Sequence, residues 1–222
     1  EDDDPYDALL LLGDLVYPAG DPTQLQQVVF DPFADVLADG TELLAVLGNH
    51  DVKSGQGDTI MAELGMPGDY WAHEYGDVLF VGLDTTAMDD PAQLEFLEQA
   101  LSTTTATWRI VLMHHPPYSA GYQGSNTTAR ERFTPIFERY GVQLVLSGHD
   151  HDYQRSTPIN GVTYIVSGGG SGTRGTSTES FTAVAYAWPH FTELAVFPDR
   201  LVLRAIGTDT TVADEYTIPL AS

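Results

Sequence analysis

Four short polar segments contain most of the residues in this chain that could do chemistry. They are Gly13-Asp14-Leu15-Val16-Tyr17, Gly48-Asn49-His50-Asp51, His114-His115-Pro116 and Gly148-His149-Asp150-His151. Together they supply carboxylate, phenol, amide and imidazole groups, which are oxygen and nitrogen donors for metal ions. Five of the seven histidines lie in these segments. Brought to one place, the four segments would form a site for two adjacent metal ions.

Each polar segment directly follows a short apolar run. These runs are residues 8–12, 43–47, 109–113 and 142–146. Continuous apolar runs of this length are typical of parallel strands that are buried on both faces. The carboxyl ends of such strands share one edge of the sheet, where open α/β sheets bind their ligands. We therefore expect all four polar segments to meet at one rim.

Asp14 is the candidate bridging ligand. A carboxylate can join two cations because each of its oxygens has a lone pair for a different ion. Tyr17, three residues later, can return to one of these ions, where a phenolate favours a trivalent hard metal such as ferric iron. The alternative is that Asp14 caps the next helix and that Tyr17 only packs.

Asn49 offers a neutral carbonyl oxygen to a cation. His50, its neighbour in the chain, is not expected to reach the same ion from a turn, and it is a candidate general acid. Asp51 would orient the His50 ring and raise its pKa by accepting a hydrogen bond from it. The alternative for this segment is an Asx-type turn that carries a surface histidine.

The remaining histidines form two pairs. On extended backbone, His149 and His151 would have both rings on one side, where each can reach a different ion. His114 and His115 are adjacent, and we expect their side chains to point to opposite sides of the strand end. One of this pair would bind metal, and the other would contact phosphate or handle a proton.

The composition limits the partners of the chain. Its 222 residues are 42% hydrophobic, which suffices for a core, and no apolar run approaches the ~18 residues of a membrane helix. The chain has no cysteine, so only oxygen and nitrogen ligands are available. Its formal net charge of -23 disfavours nucleic acids and anionic membranes. An anionic phosphate ester would need local positive charge, which two metal ions can provide.

The remaining pattern predicts alternating strands and helices up to about residue 150 and mainly strands afterwards. A helical stretch from Thr23 is expected to restart at Asp31-Pro32, with Asp31 as N-cap. Further helices are predicted over residues 91–101 and 128–140, hairpins around 76–77 and 160–161, and strands over 183–188, 191–197 and 201–206. Two sheets packed face to face with helices outside would satisfy this pattern.

The ordered motifs resemble those of a known family. Gly-Asp-x-x-Tyr, Gly-Asn-His-Asp, Val-Leu-Met-His and Gly-His-x-His, continuing to Tyr153 and Arg155, are similar to the calcineurin-like metallophosphoesterases and most of all to the purple acid phosphatases. The resemblance spans residues 8–155. It implies an α/β fold, an αββα sandwich of two mixed β-sheets flanked by helices, in a single domain over residues 1–222. It also implies two metal ions, ferric iron with ferrous iron, zinc or manganese.

The resemblance assigns roles to individual residues. The first metal would be held by Asp14, Tyr17 and His151, and the second by Asp14, Asn49, His114 and His149. His50 would contact the substrate and help the leaving group depart, with Asp51 beside it, and His115 would touch phosphate.

In one respect the chain departs from the family, which begins with a strand carrying Asp-x-Gly or Asp-x-His. This first strand, whose Asp completes the first metal, is expected to be absent, so that the domain is N-terminally incomplete. Asp2, Asp3 and Asp4 cannot replace that ligand, because they would lie roughly 20 Å from Asp14 at about 3.3 Å per residue.

The expected function is metal-dependent hydrolysis of phosphate esters, as in an acid phosphatase that acts on monoesters. A metal-activated hydroxide would attack phosphorus in line, and His50 would protonate the departing alkoxide. A phosphodiesterase and a non-catalytic metal-binding homologue remain alternatives. The expected partner is a small phosphate ester, and the acidic composition is compatible with secretion. The glycine-rich segment 168–180 is expected to form a loop near the site, where Arg174 can meet substrate.

Overall fold

A seven-stranded mixed sheet forms the centre of the computed structural model, which describes residues 6–38 and 40–220. In spatial order its strands are β3 (Trp71–Tyr75), β4 (Val78–Leu83), β5 (Trp108–Met113), β6 (Leu144–Ser147), β8 (Thr163–Ser167), β7 (Tyr153–Ser156) and β9 (Thr182–Tyr186). The four strands β4, β5, β6 and β8 run parallel, and the outer strands pair antiparallel. Asp2, Asp3 and Asp4 lie outside the described residues.

Two smaller sheets face the central sheet across a shared core. One consists of β1 (Ala8–Leu11) and β2 (Glu42–Ala45), which pair in parallel. The other is an antiparallel meander of β10 (His190–Val196), β11 (Arg200–Gly207) and β12 (Val212–Pro219). The strands predicted over residues 191–197 and 201–206 are thereby confirmed, whereas β12 was not predicted.

The helices are α1 (Ala34–Ala38), α2 (Gly57–Glu63), α3 (Pro91–Thr103) and α4 (Thr127–Arg139), with single 3₁₀ turns at Pro22–Gln24 and Gly169–Ser171 and a π-helical turn at Gln26–Phe30. Helix α3 is capped by Asp90, whose carboxylate accepts the Ala92 amide at 2.9 Å. Helix α4 ends before Gly141, which has a φ of 65°. None of the described helices reaches the length and apolarity that a membrane span requires.

Strand β5 explains why the central strands are continuously apolar. Ile110 and Leu112 point into the core beneath the two smaller sheets, and Val111 and Met113 point into a second core beneath α3 and α4. Because both faces of the sheet are covered, every position needs an apolar side chain. The predicted sandwich of packed sheets with outer helices is confirmed.

The N-cap predicted at Asp31 is wrong. Asp31 has helical φ and ψ of -65° and -47°, and its carboxylate accepts the Gln26 side-chain amide at 2.7 Å instead of a backbone amide. The Asp-Pro signature operates ten residues earlier, where Asp21 caps the turn that begins at Pro22. In both places the sequence pattern is the same, and the side-chain partner differs.

Candidate metal centre

The four polar segments meet, as predicted from their positions at the carboxyl ends of strands, although these strands belong to two sheets and not to one. They follow the carboxyl ends of β1, β2, β5 and β6, each paired in parallel with a neighbour. One contact joins the small β1–β2 sheet to the central sheet, and another joins the ends of β5 and β6 within the central sheet. The Leu12 carbonyl oxygen lies 2.7 Å from Nδ1 of His114, and the Gly148 amide donates to the His114 carbonyl at 3.1 Å. The strand ends are therefore fixed relative to one another.

Asp14 lies between two groups of donor atoms. Its Oδ2 is 3.3 Å from Nε2 of His114 on one side and 3.2 Å from the Tyr17 hydroxyl on the other. Its Oδ1 accepts the backbone amide of His50 at 2.7 Å. The carboxylate is thus held by one backbone hydrogen bond, and its second oxygen faces both groups of donors.

The first group includes His114, Asn49 and His149. Nε2 of His114 lies 3.3 Å from Oδ1 of Asn49 and 3.2 Å from Nδ1 of His149. Because Nδ1 of His114 faces the Leu12 carbonyl oxygen, that nitrogen carries the proton of the neutral ring. Nε2 then presents a lone pair toward other lone pairs, an arrangement that a bound cation would satisfy.

The second group is formed by Tyr17 and His151. The Tyr17 hydroxyl lies 3.4 Å from Nε2 of His151, and the two rings meet edge to face. Burial, followed by the charge of Asp14, raises the pKa of Tyr17 to about 12. The free phenol would therefore stay protonated near pH 7, and a bound metal ion would be needed to displace its proton to water.

The ionisation states of His149 and Asp14 also suit metal binding. Burial, followed by the neighbouring His114, lowers the pKa of His149 to about 4, so its ring is neutral and free to ligate near pH 7. Burial opposes ionisation of Asp14, but the neighbouring His114 and the hydrogen bond from the His50 amide outweigh burial and lower the pKa of Asp14.

Two glycines permit the close approach of these turns. A Cβ on Gly48 would collide with the backbone nitrogen and the carboxylate of Asp14. Gly13 has a φ of 82°, and a Cβ there would lie 2.7 Å from Nδ1 of His114. Both positions therefore require the absence of a side chain.

His149 and His151 reach the site by a different route from the predicted one. His149 has a φ of 68°, which is left-handed backbone, so the expectation of an extended His-x-His segment is wrong. The turn directs His149 toward His114 and leaves His151 near Tyr17. The two rings still face different donor groups, as the interpretation requires.

The expectation that His114 and His115 point to opposite sides is also wrong. Nitrogen atoms of His114, His115 and His149 lie within 4.8 Å of one another. The strand has ended at Met113, so the alternation of an extended strand no longer applies. His115 is held by Thr85, whose hydroxyl lies 2.8 Å from Nδ1. Burial, followed by the neighbouring His114, lowers the pKa of His115 to about 3.

Asp51 does not orient His50. Its Oδ1 accepts the amides of Leu15 and Val16, each at 2.9 Å, and its Oδ2 accepts the amide of Gly48 at 2.9 Å. The predicted hydrogen bond to the His50 ring is therefore wrong, because three backbone amides occupy the carboxylate oxygens. Burial raises the pKa of Asp51.

His50 is held by other groups. Its Nδ1 donates to the Pro18 carbonyl oxygen at 2.8 Å, and its ring lies 4.3 Å from the Tyr17 ring between centroids. Nζ of Lys53 is 3.0 Å from Nδ1 and 3.1 Å from Nε2. The half-buried His50 ring thus borders the candidate metal site.

Three further residues were not predicted to support the site. Thr85 and Lys53 lie outside the four motifs and have no sequence signal that distinguishes them. Asp150, inside Gly-His-Asp-His, is buried and accepts hydrogen bonds from the Ser119 hydroxyl and, at 2.7 Å, from the Gln123 amide. Its place between two histidines was the available signal.

The glycine-rich loop lies beside the site, as predicted. The Ser171 hydroxyl is 3.4 Å from the His151 ring nitrogens, and the Arg174 amide donates to the His151 carbonyl at 2.9 Å. The guanidinium carbon of Arg174 lies 5.3 Å from the centre of the Tyr122 ring. The loop therefore forms one border of the candidate metal site.

Comparison with known proteins agrees with this arrangement. The model of the calcineurin-like phosphoesterases matches residues 1–153, more than half of the chain. The chain belongs to the calcineurin-like phosphoesterase family. All four polar motifs of the chain fall inside the matched residues.

Curated relatives of this calcineurin-like phosphoesterase include acid phosphatases. Purple acid phosphatase 17 of Arabidopsis thaliana is 37% identical over 81 residues, which cover 36% of this chain and 24% of the relative. Human tartrate-resistant acid phosphatase type 5 is 33% identical over 79 residues, covering 36% of this chain and 24% of the relative. The chain thus spans about a quarter of the length of these relatives.

Solved structures share the fold. A purple acid phosphatase from yellow lupin seeds superposes with a TM-score of 0.82 at 21% identity, covering 96% of this chain and 46% of that chain. GAP50, described as the anchor in the inner membrane complex of Plasmodium, superposes with a TM-score of 0.83 at 18% identity. The superposition covers 96% of this chain and 78% of GAP50. At these identities the likeness concerns the fold.

Proposed function

We propose that this phosphoesterase hydrolyses phosphate monoesters at a pair of metal ions. The observation that carries the proposal is the position of Asp14, whose Oδ2 faces His114 at 3.3 Å and Tyr17 at 3.2 Å. A carboxylate between an imidazole group and a phenol group suits a ligand shared by two ions. One core cluster joins residues from β2 to β12, which supports the interpretation of residues 1–222 as one domain.

The proposed ligand sets follow the two donor groups. The first ion would be held by Asp14, Tyr17 and His151, and the second by Asp14, Asn49, His114 and His149. Ferric iron suits the phenol group, with ferrous iron, zinc or manganese as its partner. Such an ion pair, when bound, supplies positive charge for the phosphate oxygens and lowers the pKa of water.

The protein's own side chains would complete the reaction. His50 would give a proton to the departing alkoxide from Nε2, because its Nδ1 proton is engaged by Pro18. His115 would donate a hydrogen bond to phosphate, since Thr85 faces its Nδ1 and burial keeps the ring neutral. In a chain with a net charge of -23, an anionic ester depends on local positive charge at the site.

Substrate turnover and metal content together test the proposal. We expect release of nitrophenol from 4-nitrophenyl phosphate and about two metal ions per chain by elemental analysis. Asp14→Asn should abolish turnover and remove metal from both positions, while Asp58→Asn, an exposed change in α2, should leave both unchanged. Retained metal in Asp14→Asn would contradict the shared ligand.

Two further measurements separate the remaining alternatives. Preferred turnover of bis(4-nitrophenyl) phosphate would favour a diesterase, and full metal content without turnover of either ester would favour a non-catalytic homologue. With ferric iron, coordination by Tyr17 should give a visible absorption band that Tyr17→Phe removes. We also propose a small phosphate ester as the natural partner and a location outside the cytoplasm.

A further inference from the structure

Most cationic side chains of this acidic chain are paired with carboxylates. The chain has nine lysine and arginine residues against 32 acidic residues. Five arginines lie within 4.0 Å of a carboxylate oxygen: Arg132, Arg139, Arg155, Arg200 and Arg204. Among residues 6–38 and 40–220, the cations without such a contact are Lys53, Arg109, Arg130 and Arg174. A cation left unpaired among so many acids is available to an anionic ligand.

Three of these four cations are directed elsewhere. Arg109 lies at the amino end of β5, away from the rim where His114 follows that strand. Arg130 packs over the Tyr118 ring at 4.2 Å, and the guanidinium of Arg174 faces the Tyr122 ring. Lys53 is the one whose charged atom directly contacts a residue of the candidate site.

Lys53 is exposed, and its ammonium group lies beside the His50 ring. Its Nζ lies 3.0 Å and 3.1 Å from the two nitrogens of His50. The next residue, Ser54, donates its hydroxyl to the Gly20 carbonyl at 2.7 Å, which ties the Lys53 turn to the loop after Tyr17. An ammonium group has three N–H donors, so contact with His50 leaves donors for a second acceptor.

We propose that Lys53 is a specificity-determining residue that binds a second anionic group on the leaving group of a phosphate ester. This inference rests on the proposed function, because His50 marks the side on which the leaving group departs. The favoured substrates are esters whose leaving group itself carries a carboxylate or a phosphate. The strongly negative chain would otherwise repel such a group, and Lys53 is its only lysine.

The test compares two esters that differ in one charge, 4-carboxyphenyl phosphate and the uncharged 4-carbamoylphenyl phosphate. In Lys53→Met, the ratio of kcat/KM for the charged ester to that for the uncharged ester should fall about five-fold, the range of an exposed ion pair. Lys53→Arg should restore most of the ratio. Arg139→Met removes one charge from α4 and should leave the ratio unchanged, and Arg174→Met is measured as the competing cation beside the site.

An unchanged ratio in Lys53→Met would overturn the proposal, as would an equal fall in Arg139→Met or a fall confined to Arg174→Met. Calorimetric binding of pyrophosphate relative to inorganic phosphate provides a readout that is independent of turnover. Lys53→Met should weaken this relative affinity about five-fold. If the wild-type chain hydrolyses neither ester, the proposed function fails, and the binding ratio still decides the role of Lys53.

Discussion

The buried carboxylate of Asp51 accepts the backbone amide of Val16 at 2.9 Å and so fastens the turn after β2 to the turn after β1. The same side chain also accepts the Gly48 amide within its own turn. Asn49 and Asp14, the candidate metal ligands on these two turns, are thereby held at a fixed separation. Asp51 acts on the site through the backbone.

Removal of this carboxylate should therefore destabilise the chain. In Asp51→Ala, buried amides such as that of Val16 lose their acceptor, and the free energy of unfolding should fall by about 2–4 kcal/mol. Urea denaturation measures this change, and Asp58→Ala on the surface of α2 is the control. Unchanged stability together with an altered pH profile of hydrolysis would instead favour a catalytic partnership with His50.

His50→Ala should slow the hydrolysis of poor leaving groups more than that of good ones. A general acid contributes about 10²-fold or more when the departing oxygen is strongly basic, and less when it is a nitrophenolate. Rates for an alkyl phosphate and 4-nitrophenyl phosphate give the comparison. His73→Ala removes an imidazole that is paired with Glu42 in β2, and serves as the control. Equal slowing of both esters would argue against the acid role.

Gly48→Ala should damage both the fold and the metal site. The added methyl group would meet the backbone and the carboxylate of Asp14, and overpacking of this kind costs about 1–3 kcal/mol. Thermal denaturation and metal analysis measure the two effects. In Gly68→Ala the new methyl group lies 3.8 Å from its nearest neighbour, so both properties should be retained. A stable, metal-replete Gly48→Ala would contradict the close approach.

The metal-free chain should lose stability as the pH falls from about 6.5 to about 4. Burial lowers the pKa of His115 to about 3 and that of His149 to about 4, whereas both titrate near 6.5 in the unfolded chain. In this interval the unfolded state binds more protons, so acid favours unfolding.

Urea midpoints at several pH values provide the measurement. His115→Gln and His149→Gln should each flatten the dependence, because each removes one buried imidazole. The raised pKa of Asp51 acts in the opposite direction, since its ionised form is disfavoured in the folded chain. This effect of Asp51 is the same in the wild type and in both histidine variants, so it cancels in the comparison. An equally steep dependence in both variants would exclude these two histidines as its source.

The sequence predicted the meeting of the four motifs because the direction of the strands determines where their carboxyl ends lie. Apolar runs such as 109–113 indicate strands buried on both faces, and parallel neighbours must end at the same rim. The side-chain directions beyond those ends were not predictable in the same way. His149 adopts left-handed backbone and His115 follows the end of β5, so the strand period no longer applies to either residue.

Residues that hold the turns were harder to recognise than residues that face the site. Asp51 follows His50 in the chain, and this adjacency suggested a shared function. In the structure, Oδ1 of Asp51 instead accepts the backbone amides of Val16 and Leu15, which lie 35 and 36 positions earlier. Thr85 and Lys53 carry no motif, and only the folded chain brings them to His115 and His50. Contacts over such separations depend on the tertiary structure.

The hydrogen bond between the Leu12 carbonyl and His114 has a consequence for the order of assembly. It joins two sheets through protein atoms alone, so the spacing of the donors is set before an ion arrives. Such a preorganised pocket would take up its ions with little refolding. Amide exchange near residues 12–17 should then be nearly the same in the empty and the loaded protein.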